Sequence, residues 1–155
     1  MRAVASAVVI AALALAGCGS SSPAQPSLSA FRSGFQAEKA AFRQLGLDLQ
    51  KTITGAKAKT DAQLATEIGA LSARASQQAS ELSNLKPPAK FKTSLTHLVA
   101  GFHAVSADLT LIAGAAVKHN GPAAKTATET LLTDAAKVKT ADDAITKGLG
   151  LPAAG

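Results

Sequence analysis

Three histidines, ten carboxylates and one cysteine are the groups with which this chain of 155 residues could do chemistry. Their spacing is more informative than their number. Glu38, Gln78, His97 and Asp142 fall on or beside apolar seams. Each lies about twenty residues from the same end of its helix, so at 1.5 Å of rise per residue they share a level and define a candidate polar layer. Buried charges are costly unless paired. Such a layer is therefore a register-fixing network, a ligand site, or a set of groups that small helix rotations carry to the wet rim. A metal needs convergent carboxylates and imidazoles. His97 and His103 are six positions apart, about 240° around a helix, and so cannot share an ion. His119 falls at a helix end, where a cation is accounted for by the helix dipole. Glu-x-x-His pairs of the di-iron type and Cys-x-x-Cys-His for covalent haem are absent. So are the Gly-x-Ser-x-Gly elbow and the phosphate loop. The expectation is no metal, no cofactor other than a covalent lipid, and no enzymatic activity.

The elements that must position these groups are read from apolar steps of three and four residues, the period of helices packed side by side. The first seam is Phe31, Phe35, Glu38, Phe42, Leu45, Leu49, Thr52, opening near Ser27 or Ser29 and stopped by Gly55. The second opens on Thr60-x-x-Gln63, a capping box, and runs Leu64, Ile68, Leu71, Ala75, Gln78, Leu82, Leu85. Pro87 and Pro88 close it and start the next helix. The third is Phe91, Leu95, Leu98, Phe102, Val105, Leu109, Ile112, Ala116, ended by Asn120-Gly121-Pro122. The fourth uses Ala124, Ala127 or Thr128, Leu131, Ala135, Val138, Ala141 or Asp142, Ile145 and Leu149, and dissolves at Gly148, Gly150 and Pro152. Long helices with short turns predict an all-α, up-down-up-down four-helix bundle over residues 28–150, with 151–155 as a frayed end. A pair of hairpins completed by dimerisation is the alternative to a monomer.

In this topology the first and third helices run parallel across the diagonal. Phe31, Phe35, Phe42, Phe91 and Phe102 then gather in the half nearer the N-terminus. That half is predicted to be the wider one, and the five rings to line a candidate apolar pocket.

Ahead of the bundle, Met1 and Arg2 precede an apolar run from Ala3 to Ala16. This run is shorter than the roughly 20 residues of a membrane span and has the layout of a removable secretory leader. The stretch Leu15-Ala16-Gly17-Cys18 resembles the lipobox of bacterial lipoproteins. That resemblance implies cleavage of residues 1–17, a diacylglycerol on the Cys18 sulfur and a further acyl chain, such as palmitate, on its new amino group. Two or three chains together make a lasting membrane anchor. The only methionine, Met1, leaves with the leader, which excludes a His/Met haem bundle. Residues 18–27 then read as the lipidated cysteine and a Ser/Pro/Gly-rich flexible tether. With a single cysteine no disulfide forms within the chain.

Leu82-x-x-Leu85-x-Pro87-Pro88, with the long Ala/Leu-rich helix after it, is similar to small helical lipoproteins of high-GC Gram-positive bacteria, and the likeness implies an envelope location. The net charge of +6 raises the question of nucleic acid. A single-strand binder, however, displays aromatic platforms among its lysines. Here tryptophan and tyrosine are absent and every Phe falls at core spacing. The charge suits weak attraction to anionic lipid or wall polymer instead. The sequence thus points to a lipid-anchored protein on the extracytoplasmic face of the cell membrane, binding an envelope protein or an apolar ligand. A plain spacer and a metal- or haem-binding bundle are the rivals.

Overall fold

The computed structural model describes residues 27–152. The lipobox, Cys18, the greater part of the tether and residues 153–155 lie outside them. Four helices fill the described residues, with no strand among them: α1 (Leu28–Thr54), α2 (Asp61–Asn84), α3 (Lys92–Val117) and α4 (Gly121–Leu149). Single 3₁₀ turns at Ala56–Ala58 and Ala89–Phe91 complete the first two connections.

The helix ends sit where the local chemistry demands. Ser27 Oγ accepts from the Ala30 N–H at 3.1 Å, capping α1. Thr60 and Gln63 exchange side-chain and backbone hydrogen bonds at 3.3 and 3.0 Å, the reciprocal box expected before α2. Asn120 Oδ1 takes the Ala123 N–H, and Pro122 lies in the first turn of α4. Two Schellman closures end α3 and α4. In the first, His119 occupies the left-handed position with φ 51°, and Asn120 N–H reaches back to the Ala115 carbonyl. In the second, Gly150 takes that position with φ 63°, and Leu151 N–H bonds the Thr146 carbonyl.

The second closure corrects the expected frayed end. It turns Leu151 back onto the core, where it is buried, and sets the Pro152 carbonyl to accept from Lys39 Nζ at 3.2 Å. Nor does the helix dissolve at Gly148. A Cβ there would lie 2.6 Å from the Phe91 ring, so glycine is the residue that lets this ring approach α4.

α3 is the central helix, packed closely against both α2 and α4, while α2 joins α1 to the rest. Its length and apolarity would suit a membrane span. Leu95, Leu98, Phe102, Val105, Leu109 and Ile112 are instead buried between its neighbours. Against α2 the contact includes a set of small hydroxyl residues. Ser72 Oγ donates to the Ser106 carbonyl at 2.8 Å and Ser106 Oγ to the Ser72 carbonyl at 2.9 Å, with Thr110 closing the group. On α4, Ala135 is exposed where the seam predicts burial, and Asp134 turns inward in its place.

Candidate functional site

The predicted polar layer resolves into separate pairs. Gln78 is buried, and its Nε2 donates to the half-buried Glu38 across α1 and α2. Burial pushes the Glu38 carboxyl above the usual carboxylate range, the Gln78 bond works against it, and neighbouring Glu81 adds to the rise. One residue on, Lys39 points the other way, donating to Thr146 Oγ1 at 3.0 Å and so tying α1 to α4. Asp142 lies beside this tie. Burial raises its pKa, while Lys39 and the Thr146 hydroxyl lower it. His97 is exposed on α3 and takes part in neither pair. Adjacent residues diverge by about 100° around a helix, so Glu38 and Lys39 face different neighbours and no single network spans the bundle. Among the described residues no three His, Cys, Asp or Glu side chains converge as a metal site.

The predicted apolar pocket is filled by its own side chains. The five rings form a continuous run from Phe91 through Phe31, Phe35 and Phe42 to Phe102, with successive centroids 4.8–6.3 Å apart. Phe31, Phe35, Phe91 and Phe102 are buried and Phe42 is packed against them. These contacts are those of a close-packed core. The rings therefore bridge α1 and α3 as structure.

Among the described residues, the buried side-chain atom left without a hydrogen-bond partner belongs to Asp108. It is the one carboxylate on α3, 5% exposed, and its Oδ2 has no hydrogen-bond partner. On α4, Asp134 stands beside it, shielded down to 13% exposure and paired with Lys137 Nζ at 2.7 Å. Burial pushes the Asp108 carboxyl up, Asp134 pushes it further, and Lys137 pulls it back. Two carboxylates thus share one lysine at the α3–α4 seam.

No protein-family model, curated protein or solved structure matches the chain.

A groove follows α3 and α4 as two separate lobes, with Asp134 lining one and Asp108 the other. Towards the Phe-rich end it is floored by Ala100, Gly101, Ala104, Ala141 and Ala144, in a lobe of about 760 Å³ closed by Ser94 and His97. Beyond Asp108, a second lobe of about 540 Å³ lies on Gly114, Ala115, Ala123 and Ala127. Gly101 lets the helices approach this closely, since a Cβ there would meet Val138 at 2.7 Å. The rims are polar: Lys137, Thr140, Thr130 and Lys118. Volumes of this size are those of small-molecule sites, in which a few polar groups orient a mainly apolar ligand.

A single apolar seam along α3 passes Asp108 by, and the seam of α4 runs through Ala135 and not Asp134. A helix with neighbours on two sides buries a wider arc. Asp108, next to seam residue Leu109, falls inside it. The available signal was a lone carboxylate within a long apolar helix.

Proposed function

We propose that the chain is a lipid-anchored, non-enzymatic protein of the cell envelope that uses the α3–α4 groove to bind an elongated ligand. The address comes from the lipobox-like Leu15–Cys18 and the short tether that follows. The observation that supports binding is the unpartnered Oδ2 of Asp108, buried beside a groove of small side chains. An unsatisfied buried polar atom costs on the order of 1–3 kcal/mol, and sites of this kind persist where a ligand uses them. The body stands close to the bilayer, because nine tether residues reach at most about 30 Å.

The test is photocrosslinking in cells, with the crosslinker at Ala104 on the groove floor and, as control, at Gln77 on the exposed far side of α2. Adducts at Ala104 alone support groove binding. Equal labelling at both sites, or none at either, favours the spacer reading, which the filled Phe core also suits.

A further inference from the structure

The first turns of α1, the connection from α2 to α3 and the last turn of α4 meet at one end of the bundle. Phe31 and Phe91 pack with ring centroids 5.3 Å apart, and Gly148 and Gly34 give way to the side chains of Phe91 and Leu85. Five basic residues are chain neighbours of this cluster. Arg32 follows Phe31, Lys86 follows Leu85, Lys90 and Lys92 flank Phe91, and Lys147 precedes Gly148. All five are exposed, and among the described residues none of them stands in an ion pair. Residues 28–37, 82–107 and 144–152 contain no carboxylate.

The opposite end is built differently. There His119 pairs with Asp61, Lys59 with Glu67 and Lys125 with Glu129. Of the chain's sixteen Lys and Arg, Arg2 belongs to the leader and five to the basic end, and the other ten are balanced by ten Asp and Glu. The net positive charge of the body is therefore concentrated at one end. An anionic surface is its complement.

The tether says which surface. It joins the body at Ser27, the cap of α1, at this same end. Nine residues span at most about 30 Å, which holds the basic end near the bilayer and leaves the balanced end away from it. Leu28, 48% exposed at the start of α1, adds an apolar side chain there. We propose that this end docks on the anionic lipid headgroups of the membrane that carries the chain, with Lys86, Lys90 and Lys92 at the surface and the bundle standing away from it. This rests on the reading of Cys18 as the anchor and adds the docking surface and the orientation of the body.

A basic side chain near an anionic leaflet contributes roughly fivefold in affinity, provided that it lies within the Debye length of about 8 Å. Arg32 lies about 6 Å of helix from the start of α1, inside that range. The tether raises the concentration of this end at the bilayer to the order of millimolar. A contact too weak to persist in free solution is then populated in the anchored protein.

The experiment uses the chain from residue 18 onward with Cys18→Ala, so that no acyl chain contributes. It is sedimented with vesicles of phosphatidylglycerol and phosphatidylcholine in equal parts, and with vesicles of phosphatidylcholine alone. Binding to the first and not to the second is expected, and salt at about 0.5 M should abolish it. Lys86→Gln, Lys90→Gln and Lys92→Gln together should weaken binding at least about tenfold. Lys51→Gln, Lys57→Gln and Lys118→Gln together remove the same charge from exposed sites at the opposite end, and should leave binding within about twofold. With the native cysteine gone, single cysteines report orientation. A polarity-sensitive dye at Ala89→Cys should shift to the blue on the anionic vesicles, and one at Ala58→Cys should not.

Equal losses in the two triple variants, or equal shifts of the two dyes, overturn the docking surface. So does a lack of sedimentation with anionic vesicles while circular dichroism shows an intact helical fold. Tighter binding of poly(glycerol phosphate) than of the vesicles reassigns the basic end to a wall polymer and overturns the lipid proposal. None of these results touches the anchor, which fractionation of the Cys18→Ala protein made with its native leader tests separately.

Discussion

Replacing Asp108 by Asn should make the unliganded protein more stable, and by an amount that depends on pH. In the native state burial raises the Asp108 pKa above the ordinary aspartate value of 3.8. Well below that value Asp108 is protonated in both folded and unfolded chains, and its ionisation costs nothing. As pH rises through the window above 3.8, the unfolded chain releases its proton first. The native state then binds more protons, so stability falls with pH. By neutral pH the native protein either carries a buried charge beside Asp134 or holds a proton against the solvent. Asn has neither cost, and its amide can donate to Asp134. A buried unsatisfied group costs about 1–3 kcal/mol. Because Asp108 lies at the edge of an open groove, the lower figure applies and a gain of about 1 kcal/mol is expected at pH 7. For a domain of this size that is a rise of roughly 3–5 °C in Tm. Thermal melts of wild type and variant at pH 3.5, 5 and 7 provide the assay. Destabilisation by Asn at pH 7, or a gain that is the same at all three values, would refute the account of Asp108 as an unsatisfied buried acid.

Four further substitutions have expected outcomes of their own. Gly148→Ala should lower stability by about 1–2 kcal/mol, since its methyl would run into the Phe91 ring. Gly69→Ala, at a helical position with open space around it, should raise stability by up to about 1 kcal/mol in the same denaturant titration. Lys39→Met removes the bond to Thr146 and the tie to the Pro152 carbonyl. Faster hydrogen exchange at the Leu151 amide than in wild type is expected. Cys18→Ala expressed with the native leader should move the protein from the membrane to the soluble fraction, and an unchanged distribution would remove the lipid anchor from the proposal.

What could be read directly from the residues was whatever depends on neighbours in the chain. Ser27, the Thr60/Gln63 box, Asn120 and Gly150 each act within a few positions of themselves, and the helix ends fall beside them. The apolar seams also lead to one core because their period is the period of the helix. Placement around the helix was legible only to within about one residue. That error of about 100° separates Glu38, facing Gln78, from Lys39, facing Thr146. The same error exchanged Ala135 for Asp134 on α4. Leu151 escaped because a chain that turns back through Gly150 buries a residue that the helical pattern no longer reaches.

These misplacements have one physical origin and lead to the site. A bundle laid out from four independent seams treats its helices as equivalent, with one buried stripe each. Here α3 carries the core, packed on α2 through Ser72 and Ser106 and on α4 through Gly101 and Val138. A central helix buries positions on both flanks of its seam, and those flanks fill with alanine, glycine, serine and apolar residues. A carboxylate at such a position is held largely out of water, as Asp108 is at 5% exposure. Its survival beside Asp134 therefore costs stability that Asn or a small apolar residue would restore.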